Sequence, residues 1–303
     1  RLHPERDPAE AALAQDRQWG LAPGAEVTTE ANPDSVTPAS LAVLREGGFS
    51  RISFGMQSAV PHVLRVLDRT HNPANVPRAV AWAREAGFEQ ISLDLIYGTP
   101  GESLDDWRTS VESALACEPD HVSAYSLIVE EGTALGRQVR RGEVPMPDED
   151  DFADKYVLAD ELLVAAGLGW YEVSNWARDE AAQCRHNIGY WHSDDWWGIG
   201  PGAHSHLDGR RFWNRKHPRP YAEAVARGEL PIQDEETLTA ADRHTERLML
   251  ELRLREGLPT DLVDDAAMGG FVSRGLVDRV GDRWVLTDAG RLLGDGIVRD
   301  LLA

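Results

Sequence analysis

The sequence predicts an alternating α/β protein whose parallel sheet forms part of a barrel, followed by a smaller α+β domain. Short β-prone segments alternate with helical periodicity between Glu26 and Ser174, and this alternation is typical of βα units with a parallel sheet. Polar residues occupy alternate strand positions, as in Ile91-Ser92-Leu93-Asp94-Leu95. Because parallel strands in a flat sheet are usually apolar on both faces, the polar positions favour a sheet curved around a polar interior.

The individual elements are predicted from local signals. The β-prone segments are Glu26–Ala31, Arg51–Met56, Ile91–Tyr97, His121–Ile128 and Trp170–Ser174. Helix starts and stops lie between them. Thr37 with Pro38 starts a helix that Gly47–Gly48 ends, and Val60–Leu67 is a short amphipathic helix. Asn75 opens a capped helix, Ser103 caps the next and Asp148 begins a further one.

The predicted domain boundaries follow changes in this pattern. They are a lead-in of uncertain origin with a weak helix (1–20), the partial barrel (21–180), a glycine-, histidine- and tryptophan-rich extension (181–239) and a C-terminal domain (240–303). The last domain is predicted as helices Ala240–Arg255, Leu258–Ala267 and Gly270–Arg274, the hairpin Leu276–Val280 with Arg283–Thr287, and a final helix Asp288–Leu302. This order is winged-helix-like. Residues 240–303 hold 9 arginines against 12 acidic residues, which favours a packing or interaction module over a DNA reader.

Composition excludes several classes of function. The net charge of −20 repels phosphate backbones and anionic lipids, so neither a nucleic-acid partner nor stable membrane insertion is expected. The apolar runs are shorter than the ~20 residues of a membrane helix, and no export signal is visible, which favours the cytoplasm. The two cysteines, Cys117 and Cys184, exclude a disulfide scaffold and a zinc or iron–sulfur site built from a cysteine cluster of this chain.

Polar residues at strand ends are the first candidate site. Glu30, Gln57 and Asp94 lie within or at the end of predicted strands, where a βα barrel places its active-site rim. Their oxygens and amide suit ribose hydroxyls and cationic groups, and Arg69 suits a carboxylate. The alternative is that they satisfy loop backbone groups. The turn Tyr97–Gly101 that follows is predicted as simple strand-to-helix punctuation.

The segment Cys184–Trp191 is the densest group of functional side chains. If it is helical, His186, Tyr190 and Asn187 share a face, and with Trp191 they offer an axial ligand for haem iron and flat surfaces for a macrocycle. A histidine packed among core aromatics is the alternative. Two further segments follow. One is the glycine-rich Gly198–His206, whose two histidines, without a third ligand, are weak evidence for a zinc site. The other is Arg210–Arg219, whose five cations suit porphyrin carboxylates or form a solvated loop.

In combination these motifs resemble a known family. Glu30-Ala31-Asn32-Pro33, Arg51–Ser58 and Asp94–Pro100 look like three successive strands of the radical-SAM proteins related to oxygen-independent coproporphyrinogen III oxidase. His186-Asn187-x-x-Tyr190-Trp191, followed by Gly198–Ser205, resembles the haem chaperone branch of that family. The similarity runs from about Leu21 to the C-terminal end.

The resemblance implies a partial (β/α)6 barrel that holds S-adenosylmethionine and a [4Fe–4S] cluster, here incomplete and starting at its third strand. It implies that Glu30, Gln57, Arg69 and Asp94 contact S-adenosylmethionine. His186, Asn187, Tyr190 and Trp191 would be associated with haem, with His186 as an iron ligand. The implied partners are haem or porphyrin and a haem-acceptor protein.

The departure from the family is the missing Cys-x-x-x-Cys-x-x-Cys motif, which indicates truncation or loss of the cluster-binding segment. Without three thiolates this chain is expected to bind no [4Fe–4S] cluster and to catalyse no radical reaction. Three hypotheses follow: a radical-SAM haem chaperone, an oxidase-like enzyme of porphyrin biosynthesis, and a cluster-free module that binds haem or S-adenosylmethionine. The His-Asn-x-x-Tyr-Trp block favours the first.

Overall fold

The computed structural model describes residues 20–146 and 148–302. They divide into two compact units, one ending at Gln183 and the other beginning at Cys184. The predicted weak helix in residues 1–16 lies outside the described residues. The predicted C-terminal domain and the predicted extension from Cys184 onward belong to the second unit, whereas residues 181–183 of the extension belong to the first. In the described part of the chain, no helix is long and apolar enough to cross a membrane.

The first unit contains a six-stranded sheet of order β1-β2-β3-β4-β6-β5. The strands are β1 (Thr28–Ala31), β2 (Arg51–Gln57), β3 (Gln90–Tyr97), β4 (His121–Ser126), β5 (Gly169–Glu172) and β6 (Asn175–Ala177). Strands β1 to β4 are parallel, as predicted. The segment predicted as a fifth strand, Trp170–Ser174, instead starts a hairpin, in which β6 turns back and lies antiparallel between β4 and β5.

Helices connect these strands. They are α1 (Pro38–Glu46), α2 (Pro61–Val66), α3 (Asn75–Glu85), α4 (Leu104–Leu115), α5 (Ala134–Arg140) and α6 (Glu149–Ala165). Thr37, Ser103 and Asp148 cap their helices through the side chain, as predicted. Asn75 is the first helical residue of α3, as predicted, but the helix has no side-chain cap hydrogen bond. The Asn75 amide donates to Asp34 Oδ1 at 2.6 Å. The short helix α5 carried no predicted signal.

The parallel strands have one apolar and one polar face. In register across β2, β3, β4 and β6, one row is Phe54, Leu93, Val122 and Trp176, all buried in the hydrophobic core with the helices. The next row is Gly55, Asp94, Ser123 and Asn175. Because strand side chains alternate between faces, the polar row lies opposite the core, which is the polar interior that the sequence predicts.

The second unit has two antiparallel three-stranded sheets, β7-β8-β9 and β10-β12-β11. The strands are β7 (His204–Leu207), β8 (Arg210–Asn214), β9 (Ile232–Thr237), β10 (Leu258–Pro259), β11 (Val277–Val280) and β12 (Arg283–Leu286). The helices are α7 (Arg185–Trp191), α8 (Pro218–Ala226), α9 (Ala240–Glu251), α10 (Asp265–Ser273), α11 (Asp288–Arg291) and α12 (Gly294–Leu301). The sheet β7-β8-β9 was not predicted.

The C-terminal part has the winged-helix-like order of helices followed by a hairpin, with three corrections. Leu258–Ala267 is not a helix, because Leu258–Pro259 pairs with β12. The single helix α10 replaces the two predicted before the hairpin. The predicted last helix is divided between α11 and α12. Leu248, Met268, Trp284 and Ile297 are among the residues that form the core of this part.

Candidate functional site

Asp94 is the central residue of the polar face in the first unit. Its carboxylate accepts a hydrogen bond from Ser53 Oγ at 2.7 Å. Burial raises the pKa of Asp94, hydrogen bonds from Ser53 and Ser123 oppose the rise, and the charge of Glu30 adds to it. Glu30 is paired with Ser53, the donor to Asp94, in the register of β1 and β2, so the two carboxylates lie on the same face. Two acidic groups on one polar face form a site for hydroxyl donors and cations.

Gln57 joins this site through an unusual backbone conformation. It has a φ of +62° at the end of β2, next to an irregularity in the pairing with β3. Its amide folds back over Gly55, where a Cβ atom would lie 2.7 Å from Gln57 Nε2. Since Gly55 is the pairing partner of Asp94, three of the four residues predicted to bind one ligand lie on the same face.

Among the described residues, no hydrogen bond or ion pair connects Arg69 to Glu30, Gln57 or Asp94. Arg69 lies in the exposed segment after α2, and its guanidinium makes no hydrogen bond or ion pair within residues 20–146 and 148–302. Two other members of the polar face, Tyr125 and Asn175, were not predicted. Tyr125 is partly exposed, and its pKa is raised by desolvation and by the nearby charges of Asp94 and Glu172. Asn175 Oδ1 is buried and has no hydrogen-bond partner among the described residues. The strand alternation was the available signal for Tyr125, whereas Asn175 depends on the unpredicted β6.

The turn after β3 requires glycine at position 98 for structural reasons. Gly98 has a φ of +78° and packs against the Phe152 ring, which occupies the space of a Cβ atom. Its amide donates to Glu102 Oε2 at 2.7 Å. Lys155 lies beneath the turn, with Nζ 3.4 Å from Glu102 Oε2 and 2.5 Å from Asp151 Oδ2. The turn therefore rests on a buried ion cluster, in agreement with its prediction as structural punctuation.

In the second unit, an aromatic run begins at helix α7. His186 and Tyr190 lie on one helix face, as predicted, with ring centroids 4.5 Å apart. The Tyr190 ring meets Trp196 edge-to-face at 5.0 Å, and Trp196 lies 4.9 Å from His206. His186 and Tyr190 are exposed, so the alternative of a core histidine does not hold for His186. Trp196 was not predicted, because it follows the end of α7.

Asn187 and Trp191, the other two residues predicted to meet haem, lie on α7 and are half-buried. The two histidines of the glycine-rich segment differ from each other. His204 is exposed and stacks on Trp213 at 5.5 Å, whereas His206 is buried. In the part of the chain that the structure describes, no three His, Cys, Asp or Glu residues form a group that could hold a metal ion.

The basic stretch Arg210–Arg219 is mostly neutralised by carboxylates of the same unit. Arg210 pairs with Glu235, Arg211 with Glu236 and Glu246, and Arg219 with Glu223. The solvated alternative therefore describes these three arginines better than a site for porphyrin carboxylates. Arg215 and Lys216 form no ion pair among the described residues, and they are the remaining cations of the stretch.

The cysteines do not fit an iron–sulfur cluster. Cys117 follows α4 and is half-buried, and burial raises the pKa of its thiol. Cys184 precedes α7 and is buried. The two belong to different units. Two cysteines cannot supply the three thiolates that hold a site-differentiated cluster, so these residues give no support for cluster chemistry.

Comparison with known proteins identifies the family. The sequence model of the Radical SAM superfamily matches residues 2–114, which include β1 to β3. A relative from Mycobacterium tuberculosis named Heme chaperone HemW is 52% identical, covering 93% of this chain and 73% of the relative. Relatives of the same name from Bacillus subtilis and Escherichia coli are 31% and 32% identical, covering 90% and 93% of this chain and 74% and 76% of their own.

The fold is also found in a solved structure. The coproporphyrinogen III oxidase HemN from Escherichia coli, described as a radical SAM enzyme, superposes with a TM-score of 0.80 over 97% of this chain and 73% of its own, at 20% identity. That likeness concerns the fold alone. The identity to the named relatives extends over both units, and so the chain belongs to the HemW family within the Radical SAM superfamily.

Proposed function

We propose that this chain is a haem chaperone, which binds haem on its second unit and delivers it to acceptor proteins. The relatives that match most of the chain carry the name Heme chaperone HemW. The structural observation that carries the proposal is the exposed pair His186 and Tyr190, continued by Trp196. Imidazole is a ligand for haem iron, and aromatic rings offer flat apolar contact to a macrocycle.

The exposure of this pair suits a carrier. A protein that keeps haem buries the macrocycle, whereas a protein that transfers haem must present it to a partner. His186 and Tyr190 lie at the surface of the short helix α7, so haem held there stays accessible to an acceptor. Asn187 and Trp191 on the same helix complete the proposed haem-associated group.

We also propose that the polar face of the first unit binds S-adenosylmethionine. Glu30 and Asp94 accept hydrogen bonds from ribose hydroxyls and attract the cationic sulfonium and ammonium groups, and the Gln57 amide can donate and accept. Arg69 has a guanidinium available for the carboxylate of the ligand. With a [4Fe–4S] cluster, this cofactor supplies a 5′-deoxyadenosyl radical. Because two cysteines do not fit a cluster, the proposal for this chain extends to binding of the cofactor and not to radical chemistry.

Replacing His186 with alanine is expected to weaken haem binding by about tenfold, or 1.4 kcal/mol, because the exposed imidazole and its contact with Tyr190 are lost. The measurement is a titration with ferric haem followed at the Soret band. The control is His62→Ala, which removes a histidine that pairs with Asp106 on the other unit. Failure of the unmodified chain to bind haem would refute the chaperone proposal, and equal affinity of His186→Ala would remove His186 from the site.

A further inference from the structure

We propose that Nε2 of His206 is a ligand of the haem iron, inside a cleft of the second unit. The inference rests on the proposed function, since it names the group that holds the cargo at that site. His206 lies at the inner end of the run that begins with exposed His186 and continues through Tyr190 and Trp196. Three observations carry it: the tautomer of His206, its buried free nitrogen, and the cleft beside it.

The tautomer of His206 is set by its backbone partner. Nδ1 lies 3.1 Å from the carbonyl oxygen of Asp194. Because a carbonyl oxygen can only accept, Nδ1 carries the proton, and in the neutral ring the lone pair is on Nε2. Histidines that bind metals typically donate the other ring N–H to a carbonyl or carboxylate, which fixes the ring and increases its basicity. His206 has this arrangement before any metal is bound.

The free nitrogen of His206 is buried. The residue is 6% exposed, and Nε2 has no hydrogen-bond partner among the described residues. A buried polar atom without a partner is rare and costs stability. A histidine with a purely structural role would be expected to use both ring nitrogens. The unsatisfied lone pair is therefore best explained by a ligand that supplies its partner.

A cavity borders the residue His206. A cavity of about 280 Å³ is lined by His206 with Tyr190, Trp196, Met249 and Leu250, among others. A second cavity of about 380 Å³ shares His206, Ser193 and Glu246 with the first. The aromatic and aliphatic part of the first wall suits a flat apolar macrocycle with a metal at its centre. The same wall also contains Arg211 and Glu246, which pair with each other. Because Nε2 is closed to solvent in this structure, the proposal requires side chains of the cavity wall to move before the iron reaches it.

His206 and His186 therefore have different roles. The His186 ring is exposed and touches Tyr190, and no hydrogen bond within the described residues fixes its tautomer. It suits the first contact with haem at the surface. His206 has a fixed ring in a partly enclosed cleft and suits the iron bond that retains the cargo.

The test uses the full chain with ferric haem and replaces His206 by glycine. We expect affinity to fall at least tenfold and the spectrum of histidine-ligated iron to disappear, and we expect added imidazole to restore that spectrum by entering the vacated space. The control is His204→Gly, two residues away on the same strand, which removes a histidine that stacks on Trp213. Unchanged affinity and spectrum in His206→Gly would overturn the inference while leaving the chaperone proposal intact.

A second measurement does not depend on a core substitution. In His186→Ala, which alters an exposed residue, the ferrous haem complex is expected to retain an iron–histidine stretching band in its resonance Raman spectrum. Loss of all histidine ligation in this variant would overturn the assignment to His206, even if His206→Gly failed to fold. Absence of haem binding by the unmodified chain would refute the proposed function and this inference together.

Discussion

Replacing Lys155 with methionine is expected to destabilise the first unit by about 3–5 kcal/mol at pH 7, the usual cost of removing one member of a buried ion pair. The Lys155 side chain is fully buried. Its Nζ donates to Asp151 Oδ2 at 2.5 Å and to the carbonyl oxygen of Glu102 at 2.9 Å. Methionine fills a similar volume but leaves the buried Glu102 carboxylate without its counter-charge. Unfolding by urea, followed by circular dichroism, measures the loss.

The loss of stability is expected to include the turn after β3. Glu102 accepts the Gly98 amide at 2.7 Å, and the carbonyl oxygen of Lys155 accepts Trp107 Nε1 at 2.8 Å. These bonds connect α4, α6 and the turn that follows the strand carrying Asp94. Lysine suits this position because its compact ammonium group has three donors, and the structure offers three oxygens around it.

The stability loss of Lys155→Met is expected to depend on pH through the buried Glu102 carboxylate. Burial raises the pKa of Glu102 in the folded chain, although the charge of Lys155 and hydrogen bonds to the carboxylate lower it. An acid with a raised folded pKa stabilises the fold below its unfolded pKa, and this contribution is lost as pH rises through the folded pKa. Removing Lys155 raises that pKa further. The deficit of Lys155→Met is therefore expected to shrink as the pH falls from about 7 to about 5.

The chain provides a matched control, because Lys216 is its other lysine. Lys216 is exposed and forms no ion pair among the described residues, so Lys216→Met is expected to stay within about 0.5 kcal/mol of the unmodified chain. The double variant Lys155→Met/Glu102→Gln is expected to recover part of the loss. A deficit below about 1 kcal/mol, or one that grows on acidification, would contradict the buried-pair account.

The parts of the fold that were predicted correctly have local causes. The capping residues Thr37 and Ser103 each form a reciprocal pair of hydrogen bonds with the residue three positions later, and this signal is present in the sequence itself. The alternation of Ser92 and Asp94 with buried neighbours showed which side of the sheet is polar. His186 and Tyr190 were placed together because residues four apart share a helix face.

The parts that were missed depend on distant partners. Strand β6 has three residues, Asn175–Ala177, and is a strand because it pairs with β4 and β5. The glycine-rich segment leads into β7, which pairs with β8 through contacts that no local signal reveals. The ion pair of Arg210 also depends on a distant partner, because Glu235 lies on β9. The tautomer of His206 depends on one backbone carbonyl, and a sequence does not show where that carbonyl points.

Replacing Asp94 with asparagine is expected to weaken the binding of S-adenosylmethionine by about 10- to 100-fold, because a hydrogen bond to a charged group contributes about 1.5–3 kcal/mol. Asparagine has nearly the same shape and can still accept the hydrogen bond that Ser53 donates to Asp94 at 2.7 Å. The fold is therefore expected to survive, and the loss would reflect the missing charge. Isothermal titration calorimetry with S-adenosylmethionine measures the dissociation constant.

The pH dependence of S-adenosylmethionine binding distinguishes the effect of the Asp94 charge from an effect of side-chain shape. Burial raises the pKa of Asp94, and a cationic ligand binds its deprotonated form, so the affinity of the unmodified chain is expected to fall as the pH drops through that pKa. In Asp94→Asn this step should be absent. Asp154→Asn, an exposed substitution on α6, is the control and should keep both the affinity and the step. Equal affinity in Asp94→Asn would place the cofactor away from the polar face, because a sulfonium ligand beside this carboxylate must lose its attraction when the charge is removed.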